Sequence, residues 1–187
     1  QAFHYLHKLN RPFFSTILTS SNHPPYLFPD YPGQGLRLTT NKSFPKKRLD
    51  AFKYSDWALG RFIEKCFNAP FSKNTIFIIV GDHGFLLDGD PNASIDIEMY
   101  HVPCLMLVPG MTSKTISYTA SHTDIIPTIL YLLGGEYVHH SWGKNLLNIT
   151  QNHSFALVVP AGINHIAGII YENLFYIHDV MGTDQMF

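Results

Sequence analysis

A chain of 187 residues is the size of one domain, or of one large piece of a bigger one, and is long enough to bury a core. Hydrophobic residues make up 45% and charged residues only 14%, below the roughly 25% of soluble domains, which excludes disorder as the main state. Thirteen Lys and Arg against fourteen Asp and Glu leave a formal charge of −1, so no basic field exists to hold a nucleic acid by its phosphates. No apolar run reaches the ~18 residues of a membrane-spanning helix.

Ala2, Phe3, Leu6 and Leu9 stand at helical spacing, and neither an initiator Met nor a signal peptide precedes them, so a fragment of a longer protein is expected. Residues 13–18, apolar and following Pro12, predict a buried strand that empties into Thr19, Ser20, Ser21, Asn22, His23, Pro24 and Pro25. Residues 27–44, broken by Pro29, Pro32, Gly33 and Gly35, form a long loop of the kind that tends to be functional. Over 46–66 the apolar positions Leu49, Phe52, Leu59, Phe62, Ile63 and Cys66 recur every three or four residues and predict an amphipathic helix. Lys46, Lys47 and Arg48 lie at its start, opposed to the helix dipole, as a solvated basic surface.

Residues 75–80, β-branched and apolar on both faces, predict an interior strand that stops at Gly81, Asp82, His83 and Gly84. A polar loop through Asp88, Asp90, Asn92 and Asp96 leads to a second buried strand over 102–108, closed by Pro109 and Gly110. Ser121 and His122, then Pro127, with Gly134 and Gly135 at the far end, mark a helix over 124–133. Weaker strands at 155–159, 166–171 and 174–177 predict an antiparallel meander. Cys66 and Cys104 lack CxxC spacing and are expected as two buried thiols. The sequons at Asn41, Asn92, Asn148 and Asn152 decide little.

The alternation predicts an α/β fold: a mostly parallel sheet flanked by helices, with a core over 10–147 and a small antiparallel, β-rich tail over 148–187. In such sheets chemistry gathers beyond the carboxyl ends of the strands, where both Asn22-His23 and Asp82-His83 fall. An oxygen and nitrogen donor pair between two glycines suits a first-row divalent ion. The same pair, taken bare, is equally an Asp capping a turn beside an exposed His.

The run from Asn74 through Thr75, Ile76, Phe77, Ile78, Ile79 and Val80 to Gly81-Asp82-His83-Gly84 resembles the metal-site strand of the sulfatase-like branch of the alkaline phosphatase superfamily, lipoteichoic acid synthases and phosphoglycerol transferases in particular. Three further segments are similar in order and spacing: Pro12-Phe13-Phe14 leading to His23-Pro24, the stretch from Tyr54 to Ile63, and Val102-Pro103 to Pro109-Gly110 followed by Ser121-His122-Thr123-Asp124 and Pro127. The resemblance implies that residues 1–187 are the C-terminal portion of an alkaline phosphatase-like catalytic domain. It implies an enzyme that transfers or hydrolyses phosphate, phosphoglycerol or sulfate esters through a metal-activated Thr or Ser nucleophile.

By that resemblance Asp82 and His83 are metal ligands, and His23 is a substrate contact across the cleft. His122 stands where some relatives bring a further site His, though a capping role serves it equally. The cofactor is a divalent ion, Mn, Mg, Zn or Ca. The nucleophile belongs upstream, so no catalytic residue is assigned here and the chain alone is expected to be inactive. Asp56 and Asp124 are structural polar residues of helices, and His139 and His140 are surface residues. The implied partner is an anionic ester (a phospholipid headgroup, a glycan or a sulfate ester), the setting extracytoplasmic, and the parent a candidate for membrane anchoring. The alternative is a non-catalytic module of the same fold that binds anionic glycans or lipids.

Overall fold

The computed structural model describes residues 1–32, 45–84, 94–148, 154–160 and 165–187. The fold is α/β, with an antiparallel C-terminal sheet. No helix among the described residues is long and apolar enough to cross a membrane. Two compact units are formed: residues 1–79 with 105–111, and residues 80–104 with 112–187.

In the first unit the short helix α1 (Ala2–Leu6) packs on the long helix α2 (Lys46–Phe67). The long helix follows the predicted periodicity and buries Ala51 and Cys66 completely. Pro45 gives no side-chain cap, and Lys46 turns its charge toward Asp50 one turn on, at 3.3 Å. Phe28 and Tyr31 from the loop close over Tyr54 and Trp57 of α2, ring centroids 5.2–6.2 Å apart. At the other end Phe67 meets Phe77 edge-on, which ties α2 to strand β1 (Phe77–Val80) through a 3-10 turn at Pro70–Asn74. Strand β1 pairs with β2 (Cys104–Leu107).

Residues 13–18, predicted as a strand, are not one: they have no regular secondary structure and pair with no strand among the described residues, and Phe14 and Leu18 are 78% and 83% exposed. An apolar run makes a strand only when another strand accepts its hydrogen bonds, and the partner is a property of the whole sheet. For the same reason β1 and β2 are half-covered and not buried, and Cys104, expected inside, is exposed at the start of β2. The later part of the 27–44 loop, the stretch through Asp88, Asp90 and Asn92, and Asn41 and Asn152 lie outside the described residues.

The second unit holds helix α3 (Ile125–Leu133) and a four-stranded antiparallel sheet: β3 (Phe155–Val158), β4 (Ile166–Tyr171), β5 (Leu174–Asp179) and β6 (Gln185–Met186), in that order. Register sets Val158 against Gly168 and Gly168 against Ile177. Alternation along the strands then sends Val158, Ile166, Phe175 and Ile177 to one core with Ile95, and Tyr100 and Ile170 pack at its edge. The predicted antiparallel meander is therefore present.

Candidate functional site

Gly81-Asp82-His83-Gly84 leaves β1 as a turn pinned by its backbone. The Gly81 N–H donates to the Pro103 carbonyl at 3.2 Å, and the Gly84 N–H to the Met99 carbonyl at 2.6 Å. A Cβ on Gly84 would collide with the Glu98 carbonyl oxygen, so glycine is required there for the close approach of two backbones.

Within the turn both readings of the bare pair hold at once. Asp82 Oδ1 accepts the His83 N–H at 2.9 Å, which is a capping contact. Its other oxygen, Oδ2, lies 3.8 Å from His83 Nε2. His83 Nδ1 sits 2.8 Å from the Gly84 carbonyl, and because a carbonyl only accepts, Nδ1 carries the proton and Nε2 presents its lone pair. Such a backbone anchor on the far nitrogen is the usual way an imidazole is oriented toward a metal. With ligand bonds of about 2.1 Å, an oxygen and a nitrogen 3.8 Å apart both reach one ion. The side chains are 72% and 63% exposed, open to an ion from solvent. Among the described residues no group of three or more His, Cys, Asp or Glu side chains gathers, so the turn by itself offers two donors, one oxygen and one nitrogen.

His122 comes to the same turn from another element. It opens a 3-10 turn (His122–Asp124) that runs into α3, and its Nε2 lies 2.7 Å from the Gly81 carbonyl. Asp124, 2% exposed, accepts the Ser121 N–H at 2.8 Å on Oδ2 and the Lys144 N–H at 2.7 Å on Oδ1. The segment over 141–147 wraps this helix start. Ser141 Oγ donates to the Thr123 carbonyl at 3.0 Å, the Leu146 N–H donates to Thr128 Oγ1 at 3.0 Å, and Tyr118 Oη donates to the Leu146 carbonyl. Burial, and then the Asp124 charge, push the Tyr118 phenol above its ordinary range. Burial lowers Lys144 against the pull of Asp124, while its Nζ stands 3.2 Å from the Phe155 ring centre. Asp124 is a structural polar residue of the helix start, as its sequence position predicts, and its Ser121-x-x-Asp124 spacing is that of a capping box.

His23 belongs to the first unit. It sits in a turn in which its N–H donates to the Ser20 carbonyl at 3.1 Å and the Tyr26 N–H returns to its own carbonyl at 2.8 Å. Its Nδ1 donates to the Pro24 carbonyl at 2.8 Å, so Nε2 is again the lone-pair nitrogen. Ser21 Oγ meets Ser55 Oγ at 2.9 Å and anchors this loop to α2. Asp56 is exposed on α2, His140 is exposed, and His139 is half-buried and stacked on Tyr137.

The α/β architecture sets the class of fold, and the comparisons with known proteins give the family. A family model described as Sulfatase matches residues 1–135. The chain belongs to the sulfatase family, in the sulfatase-like branch of the alkaline phosphatase superfamily. It is 24% identical over 146 residues to the lipoteichoic acid synthase-like YvgJ of Bacillus subtilis, covering 70% of this chain and 24% of that one. It is 26% identical over 185 residues to an endo-4-O-sulfatase of Bacteroides thetaiotaomicron, covering 85% of this chain and 36% of that one. Among solved structures, a protein in the alkaline phosphatase superfamily from Vibrio parahaemolyticus superposes with a TM-score of 0.79 at 26% identity, over 99% of this chain and 43% of that one. The chain thus spans between 24% and 36% of the length of these two sequence relatives.

Proposed function

We propose that residues 1–187 are the C-terminal portion of the catalytic domain of a metal-dependent, extracytoplasmic enzyme that transfers or hydrolyses phosphate, phosphoglycerol or sulfate esters. The observation that carries this reading is the Asp82-His83 pair at the end of β1, with the His83 Nε2 lone pair 3.8 Å from a carboxylate oxygen. Sulfatase-family membership and relatives named as a sulfatase and a lipoteichoic acid synthase-like protein support it.

Asp82 and His83 would hold a divalent ion, Mn, Mg, Zn or Ca. When bound, such an ion lowers the pKa of a coordinated hydroxyl and offsets charge on the transferred group. The chain's own residues supply the rest. The Gly84 carbonyl keeps His83 in the Nδ1–H tautomer, the His83 N–H keeps the Asp82 carboxylate from rotating, and His23 offers an imidazole nitrogen to an anionic ester. The Thr or Ser nucleophile is assigned to a part of the parent protein outside these residues.

The test is made on the parent protein with aryl phosphate and aryl sulfate esters. Asp82→Ala or His83→Ala is expected to remove most turnover and lower bound metal, with stability changed by no more than about 0.5 kcal/mol because both side chains are exposed. Near wild-type turnover and metal content in both variants would overturn the assignment. Metal-dependent turnover by residues 1–187 alone would put the nucleophile within this chain.

A further inference from the structure

We propose that His122 and Asp124 are a positioning pair for the Asp82-His83 turn: His122 donates its Nε2 proton to the Gly81 carbonyl, and the buried Asp124 carboxylate holds the loop that presents His122. The proposal rests on the metal reading of Asp82 and His83, and it assigns His122 a part that acts through the backbone.

The chemistry of the contact decides the direction of the bond. A carbonyl oxygen has no proton, so at 2.7 Å from Gly81 O the ring nitrogen Nε2 must be the donor and cannot offer a lone pair to an ion. The Gly81 carbonyl shares its peptide plane with the Asp82 N–H, so holding that oxygen sets the direction in which Asp82 leaves the strand. The turn is held from Pro103 at the Gly81 N–H and from Met99 at the Gly84 N–H, both backbone to backbone. The Gly81 carbonyl is the point at which a side chain takes hold, and it adjoins the residue whose carboxylate is to meet an ion.

His122 is itself exposed, and an exposed imidazole on a loop samples several rotamers unless the loop is fixed. Asp124 supplies the fixing. Its two oxygens accept N–H groups on either side, Ser121 just before His122 and Lys144 from the wrapping segment. Ser141 Oγ, on the same segment, holds the Thr123 carbonyl just after His122. A carboxylate serving only to start α3 needs Ser121 alone; the bond to Lys144, twenty residues on, locks the loop against the rest of the unit.

The tautomer is read in the 187-residue chain and manganese binding in the parent protein. At pH 8.5, without metal, long-range proton–nitrogen NMR of the imidazoles is expected to show His122 as the Nε2–H tautomer, and Asp124→Asn to return it to the averaged mixture of a free imidazole. Manganese titration followed by line broadening at Asp82 and His83 is expected to show about tenfold weaker binding in His122→Ala. His122→Gln, which keeps a donor near the same place, should stay within about twofold of wild type. An Nδ1–H tautomer in the wild type, or unchanged manganese affinity in His122→Ala, would overturn the positioning pair. If the wild-type parent protein shows no broadening at Asp82 and His83, the metal reading fails, and the tautomer measurement still decides the His122 contact. Because His122 is exposed, its variants keep the test decisive where Asp124→Asn fails to fold.

Discussion

Thr128→Val isolates the bond network that seats the start of α3. Thr128 is 0% exposed; its Oγ1 donates to the Asp124 carbonyl at 2.7 Å and accepts the Leu146 N–H at 3.0 Å. Valine fills the same space without a polar atom, so packing is kept while the Leu146 N–H, beside a side chain only 7% exposed, loses its acceptor. A buried donor left unmade costs about 1–3 kcal/mol, and the lost bond to Asp124 is partly offset by the added methyl, for a net loss of about 2 kcal/mol. At this size that lowers the melting temperature by about 4–8 °C. Thr128→Ser keeps the hydroxyl and gives up one methyl, about 0.8 kcal/mol. Urea unfolding is expected to rank wild type above Thr128→Ser and Thr128→Ser above Thr128→Val, with midpoints moving at constant slope. If the valine variant proves as stable as the serine variant or better, the hydroxyl is not what joins the 141–147 segment to α3.

Gly143→Ala should cost more than about 3 kcal/mol or prevent folding, because its Cβ would collide with the Thr123 carbonyl oxygen; a stable, natively folded variant would contradict that approach. Asp184 is held below the ordinary carboxylate range first by the Tyr176 hydroxyl, then by the Asp179 N–H, with His178 adding to it. A lowered folded pKa contributes stability above the unfolded value and loses it as pH falls through the folded one. The wild-type advantage over Asp184→Asn in urea should therefore shrink on acidification, and an advantage constant down to about pH 2 would refute it. Desolvation pushes both thiols up, so access decides their reactivity: a thiol reagent should modify the exposed Cys104 quickly and the buried Cys66 only on unfolding, and two fast thiols would be the contrary result.

Elements whose signal is local were legible in the chain. Helix α2 was predicted over 46–66 and is found at Lys46–Phe67, and α3 was predicted over 124–133 and is found at Ile125–Leu133. A helix closes its hydrogen bonds within itself, so spacing and caps suffice to announce it. The tail strands were legible because alternation and short turns bring neighbouring antiparallel strands together. Asp82 and His83 stood out because they interrupt an apolar strand abruptly, between two glycines.

What the residues alone determined is thus the local framework: two helices, the strands that end at Gly81 and Pro109, the tail strands, and a carboxylate and an imidazole placed together where β1 ends. Tertiary structure decided everything that needs a partner distant in sequence. Residues 13–18 have the composition of a strand, yet they form none among the described residues, because no other strand there pairs with them. The ring of His122 finds the Gly81 carbonyl 41 residues away, and Asp124 is buried because a segment 20 residues later closes over it. The absent Cβ of Gly84 and of Gly143 matters only once another backbone lies against each. Spacing along the chain records hydrogen bonds made within a turn or two; bonds between remote segments follow from packing, because only burial brings their groups together and makes leaving them unpaired costly.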